Sequence, residues 1–124
     1  MKAFDTLFAK RQSRLYHQLA LNALREYDLD VLSLRLVGQF TNILFRVKTA
    51  CGVPYLLRIC RPGWRTDQDL RSEAMWLQAL ARESDIGAPE PLAARNGDFM
   101  VQADTDGIPE IHRCMLMSWI PMKN

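Results

Sequence analysis

Val37 to Ile59 read VGQFTNILFRVKTACGVPYLLRI, and this segment predicts the architecture of the chain. Its side chains alternate with period two on both sides of a Gly-containing turn, a pattern typical of a β-hairpin. One face of the hairpin is wholly apolar and should lie on a core; it carries Ile43, Phe45, Val47, Tyr55, Leu57 and Ile59. The other face carries Leu44, Leu56 and Arg58, which together make an apolar floor with a permanent cation. Such a face suits a flat ring with phosphates attached.

Length and composition bound the class of protein. The 124 residues suffice for one domain with one modest core. The net charge of +2, from 16 basic and 14 acidic residues, argues against nucleic acid or a membrane surface as partner. We find no apolar run long enough for a bilayer and no signal-peptide core. The three cysteines lack metal-ligand spacing, which indicates ordinary thiols in a reducing, cytoplasmic compartment.

Two helices are predicted on either side of the hairpin. Residues 3–27 carry apolar side chains at three- and four-residue steps, although the polar stretch from Lys10 to Arg14 could divide this segment into two helices. The second helix should begin at Thr66, with Asp69 in a capping box, and run to about Ser84. Its predicted buried stripe consists of Leu70, Ala74, Leu77, Leu80 and Ala81.

Glu73 lies on this apolar stripe, three residues after Leu70 and four before Leu77. A carboxylate on a core-facing stripe is costly unless it is paired with a cation or hydrogen-bonded. The alternative is a position at the margin of the stripe, where the carboxylate reaches solvent. Periodicity does not decide between the two.

The remaining strands are shorter. Ser33 to Val37 is a predicted strand with Leu34 and Leu36 facing inward. Residues 92–94 and 99–103 should pair around Asn96-Gly97, the strongest short hairpin signal, and residues 105–109 form a loop. Arg113 to Trp119 is the last strand. The predicted fold class is α+β, with a mostly antiparallel five-stranded sheet, a packed helix and an N-terminal helical segment at residues 1–30.

Four segments then stand in a familiar order: GQFTN at 38–42 before FRV at 45–47, YLLRI at 55–59 with RPG at 61–63, SEAMWL at 72–77, and CMLMSWIP at 114–121. Together they resemble the aminoglycoside phosphotransferase family and its relatives among small-molecule kinases. The resemblance covers nearly all of the chain after about residue 23. It implies that residues 31–124 form a protein-kinase-like, nucleotide-binding small lobe.

The resemblance also implies roles for single residues. Arg58 stands at the cation that contacts the nucleotide phosphates, and Glu73 at the carboxylate that holds this cation. The loop over the phosphates, where backbone N–H groups approach anionic oxygens, would consist of Gly38, Gln39, Phe40, Thr41 and Asn42. The adenine site would consist of Leu44 and Leu56 as its ceiling, Met117 at its back, and the Ser118 carbonyl and Ile120 N–H at the adenine edge.

Each implied role has a structural alternative. An Arg and a Glu on neighbouring elements are commonly an ion pair with no other function. Phe40 is either a loop-tip residue over the phosphates or a hydrophobic residue of the hairpin. The apolar run at 115–117 is explained equally well as core.

The departures from the family pattern bear on activity. Arg58 replaces the more usual Lys, so phosphate contacts must differ in geometry. The 124 residues lack the family's His-x-Asp-x-x-x-x-Asn segment, its magnesium-binding Asp and its substrate pocket. The resemblance therefore implies transfer of the γ-phosphoryl group of ATP or GTP, with Mg, to a small-molecule hydroxyl in a full-length parent. The isolated chain should be inactive, and no enzymatic activity or certain cofactor is assigned to it.

An interaction module that retains the lobe as a scaffold is the alternative function. Its basis is the apolar run from Met115 to Met122, which could associate with a partner or with a second copy of the chain. A nucleic-acid binder is a third option, disfavoured by the near-neutral charge.

Overall fold

The computed structural model describes residues 2–39, 42–63, 66–83 and 89–120, with side chains described from residue 11 onward. The elements in chain order are α1 (Lys2–Leu24), β1 (Val31–Gln39), β2 (Asn42–Thr49), β3 (Pro54–Cys60), α2 (Asp67–Glu83), β4 (Val101–Thr105) and β5 (Ile108–Ser118). The strands form one sheet in the order β1-β2-β3-β5-β4, and every neighbouring pair is antiparallel. The predicted α+β fold with a five-stranded antiparallel sheet is confirmed.

The predicted apolar face of the β2–β3 hairpin lies on the core. Ile43 lies opposite Ile59 and Phe45 opposite Leu57, and all four side chains are buried. The connecting turn is closed by the Thr49 hydroxyl, which donates to the Val53 carbonyl at 2.7 Å. Gly52 supplies the left-handed conformation that this turn requires, with φ of +87°.

α1 covers the sheet face that carries Phe45 and Leu57. It is one unbroken helix, and Leu19, Ala20 and Ala23 are fully buried in the same core cluster as these strand residues. Burial of each large apolar side chain stabilises the fold by roughly 1.5–3 kcal/mol. The helix ends at Leu24 rather than at residue 27, but Tyr27, in the turn that follows, is also buried.

α2 packs on the opposite sheet face. The predicted capping box at its start is present: the Asp69 N–H donates to the Thr66 hydroxyl and the Thr66 N–H donates to the Asp69 carboxylate, both at 3.1 Å. Leu70 and Ala74 are fully buried against Met115 and other side chains of this face. β5 is therefore covered on both faces, which explains its continuous apolar run.

The predicted stripe of α2 is only partly correct. Leu77, Leu80 and Ala81 are half-buried, whereas Leu70 and Ala74 are buried. A helix of 17 residues is about 25 Å long, and the cluster that buries α2 reaches only its first two turns. Among the described helices, none is both long and apolar enough to cross a membrane.

β1 differs from its prediction in length and in one side chain. It spans Val31–Gln39 rather than residues 33–37, and the predicted inward residue Leu36 is 40% exposed. Leu34 does pack against the core cluster. Leu36 stays partly exposed because β1 is an edge strand, with register shifts between residues 31 and 33 and between residues 36 and 38.

The last hairpin was predicted at the wrong turn. Asn96-Gly97 does form a tight turn, with φ of +87° at Gly97, but residues 92–94 are not a strand. Only Pro91 forms a bridge, to Met117. The hairpin instead joins β4 to β5 through Asp106-Gly107, so residues 105–109 are not a loop and the last strand begins at Ile108 rather than at Arg113.

Candidate functional site

The sheet face beneath α2 continues past the helix as a partly open surface on β2 and β3. We define the floor as Leu44, Arg46, Leu56 and Arg58, all of which are half-buried. Leu44 lies opposite Arg58, and Arg46 lies opposite Leu56. On the other side of β3, β5 continues the same two rows with Met115 and Met117. The predicted apolar surface with Arg58 at one end is thus present.

Arg58 and Glu73 form an ion pair between β3 and α2, so the first of the two sequence interpretations of Glu73 is correct. The two side chains are only 16% and 19% exposed, which places the pair at the edge of the core under α2. The Arg58 Nη2 also donates to the Met115 sulfur at 3.2 Å. The buried Nε of Arg58 has no hydrogen-bond partner among the described residues. One donor of this guanidinium thus remains without a protein acceptor there.

The end of β1 and the start of β2 lie at the Arg58 end of the floor. Gly38 pairs with Leu44, just after a register shift in β1. A Cβ atom at residue 38 would lie 3.3 Å from the Leu44 Cδ1, so glycine permits this close approach. Gln39 is exposed at the end of β1, and Asn42 begins β2 opposite Cys60. The predicted loop residues Phe40 and Thr41 lie outside the described residues.

The end of β5 lies at the opposite end of the floor. Met117 is buried across from Leu56, whereas Ile120 lies beyond the strand and is exposed. The Ser118 N–H donates to the Glu90 carbonyl at 2.9 Å, and the Glu90 N–H donates to the Ser118 hydroxyl at 2.8 Å. Because the N–H and C=O of one strand residue point to the same side, the Ser118 carbonyl also faces away from β3.

Sequence reasoning missed two residues of this surface. Arg46 follows Leu44 on the same face of β2, and its Cζ lies 5.2 Å from the ring centroid of Trp119, a cation–π contact. The alternation that identified Leu44 also places Arg46 on this face, so the floor carries two arginines rather than one.

No cluster of three or more potential metal-ligating His, Cys, Asp or Glu side chains occurs within the described ranges.

Comparison with known proteins identifies a family for the chain. The sequence profile of the phosphotransferase enzyme family (APH) matches residues 34–124. A search of curated proteins finds no match.

Two solved structures share the fold. One is the structure of the microcompartment-associated aminopropanol kinase, with a TM-score of 0.71 and 27% identity over 83% of this chain and 31% of that one. The other is the amicoumacin kinase hAmiN in complex with AMP-PNP, Ca2+ and Ami, with a TM-score of 0.71 and 17% identity over 91% of this chain and 34% of that one. The present chain thus spans about a third of the length of these kinases. With the family profile matching most of its residues, the chain belongs to the phosphotransferase enzyme family.

Proposed function

We propose that the floor and its two ends bind the nucleotide of a small-molecule kinase. The observation that carries the proposal is the Arg58–Glu73 ion pair, which holds a partly buried cation at one end of an apolar surface in a member of the phosphotransferase enzyme family. The Nε of Arg58 that lacks an acceptor among the described residues is buried, so a ligand would meet the Nη donors of this partly exposed guanidinium. A guanidinium held in place by a carboxylate is suited to phosphate oxygens.

The proposed orientation of the nucleotide follows from the two ends of the floor. The phosphates would lie at Arg58, with the backbone of residues 38–42 over them. Glu73 would hold the Arg58 side chain in place. The base would lie against Leu44 and Leu56, with Met117 behind it, and its edge would meet the Ser118 carbonyl and the Ile120 N–H.

The reaction we propose is transfer of the γ-phosphoryl group of ATP or GTP to the hydroxyl of a small molecule. Support comes from the two kinases that share the fold, one of which was solved with AMP-PNP and Ca2+. Mg would arrive with the nucleotide and neutralise phosphate charge. Because the 124 residues lack a His-x-Asp-x-x-x-x-Asn segment, we expect this polypeptide to bind nucleotide weakly and not to transfer phosphate.

A titration of the 124-residue chain with Mg-ATP, followed by amide chemical shifts, tests the proposal. We expect shifts of the Ser118 and Ile120 amides and of residues around Arg58, with residues of α1 unchanged. Mg-GTP in a parallel titration identifies the preferred base. No shift at millimolar nucleotide would contradict the proposal.

The run from Met115 to Met122, on which the interaction-module alternative rests, is exposed in part: Ile120 is 40% exposed, and residues 121–122 lie outside the described residues. Met115, Leu116 and Met117 are buried within the core and are not an exposed patch. Association of the chain with a partner or with a second copy stays a prediction.

A further inference from the structure

The contact between Arg46 and Trp119 crosses the sheet. Arg46 is on β2, whereas Trp119 follows the end of β5, and β3 lies between these two strands. Neighbouring strands are about 4.8 Å apart, so the side chain must reach over roughly 10 Å of the floor. Both residues are half-buried, which leaves part of the pair accessible to solvent.

The surroundings of Arg46 concentrate positive charge. Arg35 lies directly opposite Arg46 in the β1–β2 register, and like charges at such positions repel each other. Turning toward Trp119 takes the Arg46 guanidinium away from Arg35. In the described part of the chain, Arg58 is paired with Glu73, but neither Arg35 nor Arg46 takes part in an ion pair. The Arg46 guanidinium is therefore not occupied by a carboxylate of the described residues.

The position of Arg46 indicates which part of a nucleotide it would meet. Arg46 is two residues from Leu44 along β2, hence about 7 Å from the row that contains Arg58. Its guanidinium extends still further from Arg58, toward the end of β5. In the orientation proposed above, this is the base end of the floor and not the phosphate end.

We propose that Arg46, held by Trp119, stacks on the purine base of the bound nucleotide; this inference rests on the proposed function. A guanidinium is planar and weakly hydrated, so it can contact one aromatic ring on each of its two faces. The Arg46 Cζ lies 5.2 Å from the centroid of the Trp119 ring. In the proposed arrangement Trp119 contacts one face of the guanidinium and the base contacts the other. Arg46 would then contribute to binding of the nucleoside portion, while Arg58 contacts the phosphates.

The test measures affinities of the 124-residue chain for Mg-ATP, adenosine and tripolyphosphate. Arg46→Ala should weaken binding of Mg-ATP and adenosine roughly fivefold to tenfold and that of tripolyphosphate less than twofold. Arg46→Lys keeps the charge but loses the plane, so it should weaken adenosine binding by a similar factor. Arg35→Ala is the matched control, since it removes the neighbouring charge, and it should change adenosine affinity less than twofold. Adenosine should also shift the indole N–H resonance of Trp119.

Three outcomes would overturn the inference, and they are distinguishable. If both Arg46 variants bind adenosine as the wild type does, the contact with Trp119 serves only the fold, and the proposed function stands. If Arg46→Ala weakens the binding of tripolyphosphate as much as that of adenosine, Arg46 attracts anions in general and does not stack on the base. If the wild-type chain binds none of the three probes, the proposed function fails as well.

Discussion

Replacing Glu73 by Gln should lower the free energy of unfolding by about 2 kcal/mol, a value that follows from the partial burial of its ion pair with Arg58. An exposed ion pair contributes about 0–1 kcal/mol. Removing one partner of a fully buried pair costs about 3–5 kcal/mol, because the other charge is left without compensation. The side chains of Arg58 and Glu73 are 16% and 19% exposed, so the expected cost lies between these limits. The remaining contact of the guanidinium, the Met115 sulfur, is a weak acceptor and cannot replace the carboxylate.

Urea unfolding followed by circular dichroism measures this change, and the m-value should stay the same. Arg71→Gln is the matched control, because Arg71 is on the same helix and pairs with Asp98, but these side chains are 50% and 28% exposed. Its cost should remain below about 1 kcal/mol. The double variant Arg58→Leu, Glu73→Leu should recover much of the loss, since no uncompensated charge remains. If Glu73→Gln costs no more than the control, the carboxylate is not what compensates Arg58, and the reasoning is refuted.

Three further predictions concern other parts of the fold. Gly107→Ala should destabilise the protein by about 1–3 kcal/mol, because φ is +95° and the new Cβ would lie 2.8 Å from the Leu15 Cδ2; urea unfolding measures this. Cys51 should be alkylated by iodoacetamide in the folded protein, since its side chain is exposed; mass spectrometry identifies the site. Stability should fall with acid as Asp98 is protonated: the Arg71 guanidinium lowers the pKa of that carboxyl in the folded state, so its contribution is present above the ordinary aspartate pKa of about 3.9 and is lost as the pH drops below it.

Each of these has its own control. Gly52→Ala separates backbone strain from collision, because φ is +87° there but nothing lies within 4 Å of the added Cβ; equal costs at the two glycines would exclude a contribution from Leu15. Cys60 and Cys114 are buried and should react only on unfolding, so prompt labelling of either would contradict the packing of β3 and β5. An Asp98→Asn variant should lose part of the acid dependence; an unchanged profile would show that this carboxyl does not contribute.

Much of the central sheet could be predicted from residue alternation alone. Ile43 and Phe45 are buried opposite Ile59 and Leu57 because a period of two determines which face each side chain occupies. The position of Glu73 on the same stripe as Leu70 similarly indicated pairing with a cation as one of two possibilities, and the structure contains this ion pair. These successes share a cause, since each depends on a regular element with a covered face.

The errors have local causes. Two turn signals compete in residues 92–110, and the sequence does not reveal that Asp106-Gly107, rather than Asn96-Gly97, joins two strands. Residues 105–109 contain Pro109, and proline cannot donate to a strand ladder. β5 tolerates Pro109 because its pairing with β3 begins only at Arg113. Among the described strands, only β4 therefore borders residue 109, and there Ile108 rather than Pro109 pairs with Thr105 of β4.

The candidate site was predictable in part, and for a physical reason. Arg58 stood out because a helix carboxylate could be matched to it, whereas Arg46 has an aromatic partner far along the chain. A contact with Trp119 depends on β3 lying between β2 and β5, and this strand order is not visible in local periodicity. Cross-sheet contacts of this kind require the topology.

The affinity for Mg-ATP of the wild-type chain relative to the double variant Arg58→Gln, Glu73→Gln, measured by isothermal titration calorimetry, tests the nucleotide site most directly. The double variant avoids an uncompensated charge and so should remain folded. If Arg58 contacts the phosphates, affinity should fall about tenfold or more, since a charge-assisted hydrogen bond is worth roughly 1.5–3 kcal/mol. Equal affinity of the two folded proteins, or no binding by the wild type at millimolar nucleotide, would contradict the assignment of this floor as a nucleotide site.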